Sequence, residues 1–265
     1  MTLDVAVVGA AAFGASLVSL FSGFGLGTLL MPVFALFFPV DVAIASTAVV
    51  HAANNLFKFG LLARGARREV VARFGVPAVV AAFAGAAVLT ELAQSDALAP
   101  LATWQLGGRT AHVTPLGLVV GLAIVAFSLA DLVPGVARLE APARWLPLGG
   151  ALSGFFGGLS GHQGALRAIF LAPLGLAPAE FAATQAVIAL LVDGARLAVY
   201  GVAFGATMRG DASIPWTNVA AATACAFAGA YLGKRLLPKT TVGALRALVG
   251  ALLLVVGAAL ATGLA

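Results

Sequence analysis

Charge is what this sequence has least of. Lysine and arginine number 15 and aspartate and glutamate 10 in 265 residues, so charged side chains make up 9% of the chain. A soluble domain carries about 25%, and this scarcity excludes an ordinary solvated surface. The single cysteine, Cys225, excludes an intramolecular disulfide and leaves the redox compartment undetermined. Three histidines and one thiol form no cluster with metal-ligand spacing. No paired carboxylates share an apolar face, so acid–base catalysis lacks its instruments. Gly23-Phe-Gly-Leu-Gly27 looks like a fragment of a nucleotide loop but lacks the preceding strand and the Walker lysine. No basic and aromatic cluster supports nucleic acid as a partner. The first residues, Met-Thr-Leu-Asp-Val-Ala, lack the positive region of a cleaved signal peptide, so the first apolar run reads as a retained helix. No catalytic residue, metal site or cofactor is expected.

What is present instead is apolar length. The chain is 62% hydrophobic with a mean hydropathy of +1.07, which leaves one class, the polytopic α-helical membrane protein. A β-barrel would show short alternating segments instead. A spanning helix needs about 20 apolar residues. Segments of that order run over about 3–21, 41–62, 70–93, 113–133, 145–160, 179–204, 212–233 and 240–264. Two shorter pieces, about 24–38 and 163–176, are too short to span upright and read as broken or re-entrant helices.

The halves repeat. At a shift of 138 residues Ala45-Ser-Thr-Ala-Val-Val50 aligns with Ala183-Thr-Gln-Ala-Val-Ile188, Asn55 falls on Asp193 and Lys58 on Arg196. After six more residues Phe83-Ala-Gly-Ala86 meets Phe227-Ala-Gly-Ala230. One membrane domain over 1–265 is therefore expected: repeat one over 1–133, a basic linker over 134–144 and repeat two over 145–265, each with four long helices and one short. Arg64, Arg67, Arg68 and Arg73 in one loop, Arg138 and Arg144 in the linker, and Lys234, Arg235 and Lys239 in a third loop should face the cytoplasm. The region 94–112 with Asp96 and Arg109, the loop with Arg209 and Asp211, and both termini then lie outside. Five segments per repeat make the repeats inverted, the plan of a secondary transporter with a site at the broken helices.

Those breaks carry the candidate site. Four glycines in eight residues, Gly157, Gly158, Gly161 and Gly164, surround Ser160, His162 and Gln163. An earlier stretch, Ser22, Gly23, Gly25, Gly27 and Thr28, echoes it. Broken backbone at membrane depth belongs in protein or beside a water-filled cavity. Thr47, His51, Asn54 or Asn55, and Lys58 make one polar stripe, and Thr184, Gln185, Asp193 and Arg196 make another. Lys58 and Arg196 would attract an anion, and the half-helix ends near Gly27 and Gly164 would offer N–H donors. Bland alternatives stand beside each assignment. Lys58 and Arg196 could snorkel to the interface, Asp193 and Arg196 could form a structural ion pair, and His51 could be a satisfied interior histidine. Close packing accounts well for Gly85 and Gly229. His162 could titrate in a proton-coupled cycle.

With those residues in view, the chain resembles the sulfite exporter TauE/SafE family, the toluene sulfonate uptake permeases. The resemblance lies in Ser22-Gly-Phe-Gly-Leu-Gly-Thr-Leu-Leu-Met-Pro32, Ala43-Ile-Ala-Ser-Thr47 and Asn55, and recurs in Gly154-Phe-Phe-Gly-Gly-Leu-Ser-Gly161 through Ala183-Thr184. It implies a multi-pass permease or exporter of the bacterial inner membrane, carrying sulfite, sulfoacetate or other organosulfonates by alternating access. The second motif departs from the family pattern at His162-Gln163, and Arg167 follows one turn later. An added arginine suits a more highly charged or bidentate oxyanion. The expected partners are a small anion and the bilayer; proton coupling and a homodimer stay open. The rival readings are another substrate class on the same fold, a metal cation or a neutral metabolite, and a scaffold without substrate.

Overall fold

In the computed structural model, residues 2–22, 26–62, 65–95, 99–133, 140–205, 214–236 and 243–264 are described. The apolar runs fold as helices in the order α1 (Leu3–Ser22), α2 (Leu26–Ala35), α3 (Val40–Leu62), α4 (Arg68–Ser95) and α5 (Pro115–Leu132). They continue as α6 (Leu146–Ser160), α7 (Gly164–Leu171), α8 (Pro178–Gly205), α9 (Trp216–Leu236) and α10 (Gly243–Thr262). Among the described residues, three stretches are long and apolar enough by themselves to cross a membrane: Val40–Leu61, Arg68–Ser95 and Pro178–Ala203. Val80, Val202 and Val255 are more than 60% exposed, as side chains that face lipid would be. The protein is a multi-pass α-helical membrane protein.

Local chemistry sets the ends of these helices. Thr114 caps α5, its hydroxyl accepting from the Gly117 N–H at 3.0 Å, with Pro115 at the first helical position. Gly161 stops α6 with φ +78°, the left-handed conformation that suits glycine at a helix end. The chain then needs two residues before α7 starts at Gly164. In α4 a π-turn over Val71–Gly75 precedes Pro77, whose ring and missing N–H a regular α-turn would not accommodate.

The stretch 145–160 folds as α6, 15 residues or roughly 22 Å of helix, preceded by a 3-10 turn over Ala143–Trp145 and ended by Gly161. One sequence expectation needs correction. The outer loop expected over 94–112 contains a β-hairpin, β1 (Ala102–Leu106) with β2 (Arg109–Val113). Its two-residue turn, Gly107-Gly108, has positive φ at both positions, the requirement of the tight hairpin turn whose twist matches the strands. Trp104 Nε1 ties the hairpin to α10, donating to the Thr262 carbonyl at 2.8 Å.

Long pairings hold the bundle: α1 runs parallel to α9 and α4 parallel to α6, while α5 against α10 and α3 against α8 are antiparallel. Small residues permit the approach. A Cβ at Gly150, Gly154 or Gly158 would overlap the carbonyls of Phe74, Ala78 or Ala82 on α4. Gly85 in the same way meets the Phe155 carbonyl and Gly229 the Phe13 carbonyl, so close packing is what these two glycines serve. One end of the bundle gathers basic residues. Arg67 Nη1 pairs with Glu180 at 3.3 Å, Arg73 donates to the Ala143 carbonyl and Lys234 to the Leu61 carbonyl. The opposite end holds the hairpin, the starts of α1 and α3, and an Asn218–Asp4 hydrogen bond of 2.9 Å. Arg64, Asp96, Arg138, Arg209, Asp211 and Lys239 lie outside the described residues.

Candidate functional site

The polar stripes of α3 and α8 face each other at the centre of the bundle. Asp193 on α8 is fully buried, and its carboxylate is surrounded by three donors. His51 Nδ1 lies 2.7 Å from Oδ2; a carboxylate can only accept, so the ring proton sits on Nδ1. Asn55 Nδ2 donates to the same oxygen at 2.8 Å. Arg196 Nη2 stands 2.9 Å from Oδ1, an ion pair one helical turn away. The pair is at contact distance without hydrogen-bond alignment, and the Arg196 Nε makes no hydrogen bond among the described residues either.

A narrow cavity of about 30 Å³ opens beside this cluster, lined by Ser19, His51, Asn55, Lys58, Arg167 and Gln185 among others. That is room for one or two water-sized groups. Gly164, the first residue of α7, also forms part of its wall. Lys58 is 5% exposed and donates to Ser19 Oγ at 2.6 Å. Asn54, with its amide oxygen turned to Lys58, accepts from Nζ at 3.2 Å. Arg167 is 3% exposed; its Nη1 donates to the Gln185 carbonyl at 2.9 Å, while Nε and Nη2 are buried without a partner among the described residues. Among the described residues, no carboxylate lines this cavity. Burial settles the snorkelling alternative against it, since Lys58 and Arg196 are both inside.

The other candidates divide. Gly27 and Gly161 come together: a Cβ on Gly27 would stand 3.6 Å from the Gly161 carbonyl and 3.7 Å from Thr47 Cγ2. The two breaks therefore meet. Arg196 leans on the same junction, its Nη1 2.8 Å from where a Gly161 Cβ would be. Ser160, His162 and Gln163 are buried but do not line the cavity. His162 stacks on Phe127 of α5 with its Nδ1 3.0 Å from the Ser160 carbonyl. Gln163 packs against Gly157, its side-chain amide without a partner among the described residues, and its carbonyl accepts from Ser153. Gly23 and Gly25 lie outside the described residues, as do the side chains of Ser22 and Thr28.

The sequence did not reveal Ser19 as the partner of Lys58, and it left His51 open between the polar stripe and a satisfied interior histidine; the ring is buried, bonded to Asp193 and part of the cavity wall. The signal for Ser19 was its place with Ser16 at i, i+3 on α1, one turn before Ser22. Tyr200, whose hydroxyl donates to the Gly158 carbonyl and holds α8 to α6, left no pattern to read.

Comparison with known proteins gives one match: the model of the family described as sulfite exporter TauE/SafE aligns with residues 8–260. No curated protein and no solved structure matches the chain. The aligned region takes in both breaks, both polar stripes and every helix that builds the cavity, from Ser19 to Arg196. The chain belongs to the sulfite exporter TauE/SafE family, which is a family of membrane transporters and not of enzymes.

Proposed function

We propose that the protein is a secondary permease for a compact sulfur oxyanion, bound in the cavity between α1, α3, α7 and α8. One observation carries the reading. Lys58 and Arg167 are buried on the cavity wall, and no carboxylate among the described residues lines it. Arg196 and Asp193 compensate one another, so two further positive charges remain. A charge inside a membrane protein is retained only where a partner or a function meets it. An anionic substrate is that partner, and the unpartnered Nε and Nη2 of Arg167 offer it a bidentate contact. The rival metal-cation reading would use Asp193 and His162. His51, Asn55 and Arg196 occupy Asp193, and His162 faces Phe127.

The inverted-repeat plan supports transport. Exchanging helices one to five with six to ten turns the α1–α9 contact into the α6–α4 contact and leaves α3–α8 and α5–α10 unchanged. Asn55 is hydrogen-bonded to Asp193, its own counterpart at a separation of 138 residues. The basic end belongs in the cytoplasm of the bacterial inner membrane and the termini outside. The cavity lies toward that basic end of α3 and α8. On the hairpin side Ile44, Ala48, Leu116, Val120 and Leu260 pack into one apolar cluster. We assign this arrangement to the inward-facing state of an alternating-access cycle. Sulfite fits the tight cavity better than a bulky organosulfonate.

The test is thermal stabilisation of purified protein against sulfite, thiosulfate, sulfoacetate, taurine and sulfate, with chloride and divalent metals as controls. A ligand that binds only the folded state raises Tm with occupancy. The reading predicts a shift with a compact sulfur anion that Arg167→Gln abolishes. A shift with divalent metal alone contradicts it.

A further inference from the structure

The cavity lining, carried through the repeat, specifies a second lining that is closed in this structure. Ala182, Gln185, Ala186 and Lys58 face the cavity. Their counterparts at a shift of 138 residues are Ile44, Thr47, Ala48 and Arg196. Ile44 and Ala48 are packed shut in the apolar cluster at the hairpin side. Thr47 and Arg196 are buried beside the junction of the two breaks, against Gly27 and Gly161. The Thr47 hydroxyl and the Arg196 Nε make no hydrogen bond among the described residues. Buried donors of this kind call for an explanation, and a ligand bound in another state supplies one.

We propose that Thr47 and Arg196 form the second half of the oxyanion site, which faces the hairpin side once Ile44 and Ala48 separate from the helices they seal against. Arg196 then takes the part that Lys58 plays in the open cavity, and Thr47 the part of Gln185. The inference rests on the inverted-repeat carrier proposed above and extends it to residues outside the open cavity.

Single cysteines at Ala48 and Ala186, and in a second pair at Ile44 and Ala182, test it in a Cys225→Ala background. Each is exposed to an anionic, membrane-impermeant methanethiosulfonate from one side of the membrane at a time, in vesicles of both orientations. The second pair guards against a variant that fails to fold. Positions 48 and 44 are expected to label from the hairpin side, and 186 and 182 from the basic side. Sulfate, a compact sulfur oxyanion inert toward thiols, is expected to slow all four by about tenfold at ten times its Kd. Adding Thr47→Val should remove the protection at 48 and leave it at 186, and Thr47→Ser should restore it. If 48 and 44 label only from the basic side or from neither, while 186 labels and is protected, this proposal is overturned and the substrate reading survives. If all four label and sulfate protects none, both the anion contacts of Thr47 and Arg196 and the anion reading are lost.

Discussion

Asp193→Asn is the substitution whose consequence the site defines most sharply. The carboxylate faces His51 at 2.7 Å, Asn55 at 2.8 Å and Arg196 at 2.9 Å, and nothing about it is exposed. Asparagine keeps the shape and an acceptor for His51 and Asn55, so the change removes the charge that faces Arg196. Breaking a buried pair by deleting one partner costs about 3–5 kcal/mol, because a charge is left unmatched. At about 2–4 °C per kcal/mol for a chain of this size, Tm should fall by about 6–20 °C. Asp193→Asn/Arg196→Gln removes both charges and should recover at least about half of that loss, a coupling of the size direct contacts give. The assay is thermal unfolding of the four proteins in one detergent, without added anion. If the double variant falls by the sum of the two single losses, Asp193 and Arg196 are energetically independent and the charge count behind the anion site is wrong.

Other substitutions have outcomes of similar clarity. Gly154→Ala drives a Cβ into the Ala78 carbonyl and should cost about 1–3 kcal/mol, seen as lost folded yield. Gly194→Ala, in open space on the exposed side of α8, should instead stabilise by about 0.5–1 kcal/mol in the same assay. Tyr200→Phe loses the bond to the Gly158 carbonyl and should cost about 0.5–1.5 kcal/mol, read as a lowered Tm. Trp104→Phe should release the hairpin from α10, so that limited proteolysis cuts near Gly107 faster while Tm barely moves.

Much of the fold was legible because lipid makes the code simple. Apolar length located the helices, and the short pieces about 24–38 and 163–176 became α2 and α7. Glycine and polar residues within apolar sequence located the breaks. The hairpin was overlooked although Gly107-Gly108 stands between alternating residues such as Thr103, Gln105, Thr110 and His112, because a region read only for charge hides a period of two. In the candidate site, Lys58 was legible as one member of the α3 polar stripe and Arg167 as a charge one turn beyond the second break. His162 and Gln163 were not assignable in the same way. They sit between helices, where no periodicity says which way a side chain turns, and the chain turns them toward Phe127 and Gly157. The equivalence of Asn55 and Asp193 was visible as an alignment, but their hydrogen bond needed the crossing of α3 and α8.

The central claim is that Lys58 and Arg167 hold a sulfur oxyanion in the cavity. Its most direct test is the flux of radiolabelled sulfite across proteoliposomes containing correctly inserted protein, compared with Lys58→Gln, Arg167→Gln and the double variant. The account predicts concentration-dependent, saturable flux in the unaltered protein, a loss of about tenfold or more in kcat/KM for each single variant from removal of a buried charged contact, and no measurable flux in the double. Unchanged flux in the double variant would contradict it.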